Sequence, residues 1–223
     1  MWKVIVDLPR VSRLPGAKPA VGSLGHPSWK FVLPLLVLLQ AATNMIFFIM
    51  PTQLSFFFEA GGYNSAIMTG SALSVLTLSG GCVALLYTRI QRATGYIGIF
   101  ALGYGAMALG FLLLTFAATA LALFVATAAI GAGYALVSPS FITLALRLAP
   151  LHRRGLAGGV LTASIFIGQF CSPLLSTPFI AAYGYEGLFH STALLLAAMA
   201  VAVVVKGCAN WPQSSKWQGP TMD

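Results

Sequence analysis

The chain has 223 residues, of which 58% are hydrophobic and only 7% charged. Soluble domains carry about 25% charged residues, so a water-facing surface of this size is excluded and the surrounding medium is lipid. The net charge of +8 is dispersed among the segments between apolar runs. That pattern excludes nucleic acid as a partner and reads as a topology signal with added attraction to anionic headgroups.

Residues 1–28 are basic and dotted with Pro and Gly. They lack the apolar core of a signal peptide and are expected to form a flexible cytoplasmic segment. The membrane part is expected at 29–206, with a cytoplasmic tail at 207–223. A spanning helix needs about 20 apolar residues. The charge-free stretches predict an all-α membrane protein with six transmembrane helices, near 31–55, 65–87, 96–116, 119–147, 155–182 and 187–206. The turn between the third and fourth, near 116–120, has no charge or proline to mark it. A β-barrel is the other way to cross lipid, but these runs are too long and too uniformly apolar for its alternation.

The basic residues orient this arrangement. With six spans, all 12 Lys and Arg fall on the side of the two termini, while Glu59 and Glu186 fall opposite. The positive-inside rule makes that side cytoplasmic. The chain is expected in the cell's inner membrane, with Arg89, Arg92, Arg153 and Arg154 at the cytoplasmic surface.

Along the first span, Gln40, Thr43 and Asn44 fall at i, i+3 and i+4 and share one helix face. Polar groups in lipid face a partner helix or a wet cavity. Both readings are open: a stripe that touches substrate, or interhelical hydrogen bonds. Pro51 is expected to loosen the outer end of this helix. In the fourth span Gly131, Gly133 and Ser138 permit close approach of a neighbour, Pro139 interrupts the hydrogen-bond ladder, and Tyr134 either reaches a cavity or packs. In the fifth, the pairs Gly155/Gly159, Gly159/Ala163 and Gly168/Ser172 are spaced by four, giving a smooth packing face. Gln169 is an isolated amide about midway along, read as lining a cavity.

No Asp, Glu, Lys or Arg lies deep in a span. Carboxylate dyads, metal ligands and proton-relay acids are therefore not expected, nor is a cofactor. His190 lies one turn in from Glu186 and is read as an interfacial packing residue. Cys82, Cys171 and Cys208 have no metal or redox spacing. An enzyme is not expected.

Three stretches in order carry a family resemblance. "IMPTQLSFFFEAGGYNSAIMTGSALS" resembles the end of a seventh helix, its outer loop and an eighth helix. "ALLYTRIQRATGYIGIFALGYG" resembles the loop that follows. "APLHRRGLAGGVLTASIFIGQFCSPLLSTPFIAAYGYEGLFHSTALLL" resembles the last two helices, with an Arg-x-x-Ala-x-Gly start and a Gly-Tyr outer turn. Together these resemble the C-terminal six-helix half of a major facilitator superfamily transporter, of the sugar- and drug-efflux branch. The family's loop pattern Gly-x-Leu-x-Asp-Arg-x-Gly-Arg falls on residues 84–92. Arg89 and Arg92 are kept, while Thr88 stands at the Asp position and Gln91 at the last Gly.

The resemblance implies alternating-access transport of a small solute, as efflux or coupled to protons, by two six-helix bundles around a midplane site. It makes Gln40, Asn44, Tyr134 and Gln169 candidates for substrate contact and Arg89, Arg92, Arg153 and Arg154 candidates for cytoplasmic gating. Any titrating acid would belong to the other bundle. Three explanations of the half size stand: a fragment of a longer gene, pairing with a separate half, or a homodimer. A non-transporting membrane scaffold or assembly subunit, or an inactive transporter fragment, is the alternative function.

Overall fold

The computed structural model describes residues 29–117 and 119–210, and nearly all of them are helical. The elements are α1 (Trp29–Phe47), α2 (Ile49–Ala60), α3 (Ser65–Thr115), α4 (Ala120–Leu148), a 3₁₀ turn (Leu151–Arg153) and α5 (Arg154–Asn210). No strand occurs among the described residues. Four helical stretches, 32–60, 66–115, 120–148 and 151–205, are long and apolar enough to cross a membrane. The expected segments 1–28 and most of 207–223 lie outside the described residues.

The first expected helix is divided. Pro51 has no N–H to give the Phe47 carbonyl, and its ring crowds that carbonyl. The helix yields at Phe48, between α1 and α2. The ladder resumes at once on either side, with Phe48 N–H on the Asn44 carbonyl at 2.9 Å and Thr52 N–H on the Phe48 carbonyl at 3.2 Å. The helix then runs to Ala60, beyond the expected end at 55.

α3 and α5 are too long to be straight crossings, at 51 and 57 residues. Each bends back at one glycine in the left-handed region, Gly95 (φ 68°) and Gly184 (φ 72°). With ψ near 180° this backbone is essentially glycine's alone, and a side chain at either position would be strained by about 1–3 kcal/mol. The fold-back in α3 is read from its contacts with α4. A Cβ on Gly80 would lie 3.2 Å from the Gly131 carbonyl oxygen, and one on Gly103 would lie 2.9 Å from that of Gly133. Along a straight helix, residues 80 and 103 would be about 34 Å apart. Both arms therefore lie against the same two turns of α4. In α5, Ser172 and Thr192 would be about 30 Å apart if it were straight, yet they line one cavity.

The loop expected after residue 87 is shorter than the sequence suggested, since the helix continues through Arg89 and Arg92 to the glycine. Charged residues at a membrane surface do not have to leave the helix; they only have to reach the headgroups. The turn near 116–119 falls where expected. There the Thr119 hydroxyl accepts from Ala122 N–H at 3.3 Å and caps α4.

Gly131 and Gly133 provide the close approach anticipated for the fourth span. A Cβ on Gly131 would run into the Leu76 carbonyl, and one on Gly133 into that of Gly103. The small residues of α5 divide by face. Gly168 packs on α1, where its Cβ would sit 2.9 Å from that of Asn44. Gly155, Gly159 and Ala163 are exposed.

Candidate functional site

The stripe on α1 is fully enclosed. Gln40, Thr43 and Asn44 each have 0% exposure. Their spacing puts them on one face, and that face is covered by α3, α4 and the first arm of α5. Thr43 Oγ1 donates to the Leu39 carbonyl at 2.7 Å. Its single proton is thus committed, so the Tyr104 hydroxyl, 2.9 Å away, is the donor of that pair. Asn44 Nδ2 donates to the Gln40 carbonyl at 2.8 Å. Asn44 Oδ1 accepts from the Tyr134 hydroxyl at 2.7 Å. The Tyr134 ring stacks on Phe47 with centroids 3.7 Å apart and planes 12° from parallel. The result is a polar seam joining α1 to α3 and α4, directly before the break at Phe48.

Gln40 is the exception within this seam. Neither its Oε1 nor its Nε2 has a partner, though both are buried. A buried group left without its hydrogen bonds costs about 1–3 kcal/mol, so this amide is an energetic liability in the chain as it stands.

The other candidates divide. Tyr134 joins Asn44, and Gln40 joins Asn44 through its backbone. Gln169 does not join them. Its neighbour Gly168 faces Asn44, which turns Gln169 outward, where it is exposed. It makes no hydrogen bond within the chain. Arg89, Arg92 and Arg153 are exposed and Arg154 is half-buried, all at one end of the bundle. Glu59 lies at the other end, within electrostatic reach of Tyr185.

The sequence reading missed two further groups. Gln53 Nε2, on α2, donates to Ser176 Oγ at 2.9 Å on α5. It is the one amide in the α2 sequence, and that isolation was the available signal. The second is a cavity of about 260 Å³ between the α1–α2 junction and both arms of α5, with Ser172, Ser176 and Thr192 among mostly apolar neighbours. The Ser172 hydroxyl is 1% exposed and without a partner. The spacing of Gly168 and Ser172 points only to a small packing residue at 172.

The chemistry on offer is that of neutral donors and acceptors: amides, hydroxyls and phenols, with no carboxylate among the partners of the α1 seam. Such a set can bind and orient a polar molecule or hold helices together. It contains no acid to relay a proton.

Apolar helices, two glycine fold-backs and a buried neutral polar seam define a multi-pass α-helical membrane protein. Residues 32–208 match the family model of the Major Facilitator Superfamily, and the chain belongs to that family. Two solved structures of a peptide transporter, POT, in complex with sulfate share the fold. One of the two carries a Glu-to-Gln substitution. Each is 20% identical to this chain and superposes with a TM-score of 0.65, covering 84% of this chain and 39% of that one. The chain thus spans about two fifths of the transporter's length. No curated protein matches it in sequence.

Proposed function

We propose that the chain is one six-pass bundle of a two-bundle transporter that moves a small solute by alternating access. The arms of α3 and α5, with α4 and the α1–α2 pair, make the six passes. The basic end faces the cytoplasm, so both termini lie there in an inner membrane. Transport is efflux or proton-coupled, with any coupling acid on the second bundle, because the buried polar groups here are neutral. Sugar- and drug-efflux transporters are the branch its motifs resemble.

The observation that carries this reading is Gln169. It is an exposed amide, about midway along the first arm of α5, with no hydrogen bond in its own chain. Uncovered amides are costly in lipid. A water-filled cavity shared with a second bundle relieves that cost. The exposed Gly155, Gly159 and Ala163 on the same arm let another helix come close. On the first arm of α3, Ser74, Thr77 and Cys82 border an open recess of about 670 Å³.

The test is the mass of the complex extracted gently from membranes, followed by solute flux for Gln169→Leu. A complex of two six-pass bundles, with flux lost in the variant at normal expression, is the expected result. A solitary chain would remove the transport reading. The scaffold reading has its own observation: Gln40 and Asn44 are sealed inside the bundle. It predicts that Asn44→Leu, which removes the bond to Tyr134, disturbs assembly and leaves flux per assembled complex unchanged.

A further inference from the structure

We propose that the corner of the bundle formed by Arg147, Tyr96 and Arg154 binds the phosphate of an anionic phospholipid headgroup. This rests on the chain spanning a bilayer and is independent of whether it transports anything.

The corner is built by two turns. Gly95 reverses α3 and sets Tyr96 at the start of the returning arm. Arg147 is in the last turn of α4, with its guanidinium 5.4 Å from the centre of the Tyr96 ring. The short 149–153 connection, tucked in by Ala149 at 1% exposure, then brings α5 back beside α4. A Cβ on Gly158 would lie 3.9 Å from Leu146. Arg154, one turn before Gly158, therefore shares a corner with Arg147, the residue after Leu146.

Two donors at this corner are buried and have no partner: the Tyr96 hydroxyl and Nε of Arg154. The cation–π contact with Tyr96 occupies one side of the Arg147 guanidinium and leaves N–H groups for an acceptor. The carboxylates among the described residues, Glu59 and Glu186, belong to the opposite end. About 37 Å of helix separates Asn64, which follows α2, from Arg89 at the basic end. Two positive charges and a phenol thus lie at one corner, where the described residues supply no carboxylate. A phosphate matches this set, since it is anionic and rich in acceptors. At a membrane surface the phosphate within reach is that of a lipid.

Native mass spectrometry of the purified chain with equal amounts of phosphatidylglycerol and phosphatidylcholine, matched in acyl chains, reads the preference directly. Phosphatidylglycerol should be retained over phosphatidylcholine. Arg147→Gln with Arg154→Gln should cut that preference about 25-fold, at about fivefold per arginine. Arg89→Gln with Arg92→Gln removes the same charge elsewhere on this end and should leave most of the preference in place. Tyr96→Phe keeps the ring under Arg147 and removes one donor, so a smaller loss is expected from a variant that disturbs packing least. Equal losses from the two arginine pairs would mean diffuse attraction and overturn the site. Displacement of the lipid by millimolar inorganic phosphate would assign the corner to a free anion and overturn the lipid.

Discussion

Replacing Tyr134 with Phe tests the seam that joins α1 to α4. The substitution deletes one oxygen and keeps the ring on Phe47, so packing changes little. It leaves the buried Asn44 Oδ1 without its donor, a bond of 2.7 Å in the native chain. An unmet buried acceptor costs about 1–3 kcal/mol. Hydrogen bonds between membrane helices average about 0.6 kcal/mol and reach about 1.7, because the unfolded chain in lipid also finds partners. The expected loss is therefore about 1 kcal/mol. On the scale of soluble proteins this size, that corresponds to about 2–4 °C in Tm. Asn44→Leu alone removes the same bond and also the one from Nδ2 to the Gln40 carbonyl. The double variant closes a cycle in which everything but the shared bond cancels. Unfolding in mixed micelles should give a coupling of about 0.5–1.5 kcal/mol between the two sites. Strict additivity would show that the Tyr134–Asn44 bond contributes nothing, and the seam would then be a packing feature only.

Gln40→Leu should raise stability by about 1–3 kcal/mol, since both amide atoms are buried without partners and leucine is of similar size; a thermal melt decides it, and a fall in Tm would mean the amide is satisfied in the folded protein. Gly131→Ala should destabilise by about 1–3 kcal/mol, because the new methyl meets the Leu76 carbonyl. Gly159→Ala should be neutral or stabilise by up to about 1 kcal/mol, as nothing lies within 4 Å of its Cβ. Equal melts for these two variants would refute the close contact of α3 on α4.

The sequence made some of this legible for direct reasons. The 40/43/44 spacing fixes one helix face whatever surrounds it, and those residues do share a buried face. The turn expected near 116–120 is found there, but the Thr119 hydroxyl that caps α4 was a mark the sequence reading did not use. Other features were hidden by the medium. In water, a helix announces its buried side by apolar residues; in lipid both sides are apolar, so periodicity does not say which face meets protein. Gln169 could not be turned outward by reading alone, because its direction follows from Gly168 seating on Ala41 and Asn44. Tyr104 and Gln53 found their partners across the bundle, at sequence separations of 61 and 123. No local pattern encodes such pairs. The continuation of α3 through its arginines was missed because charge was read as a loop signal, when it marks only depth.

The fold-backs at Gly95 and Gly184 leave almost no slack between consecutive arms. A protease needs several extended residues to seat a substrate, and an inserted tag needs a loop to absorb its ends. Neither site provides them. Cleavage, labelling and circular permutation should therefore fail at these reversals and succeed at 61–64 and between the end of α3 at Thr115 and the start of α4 at Ala120. During synthesis the same tightness should make each pair of arms enter the bilayer together, as a single insertion unit.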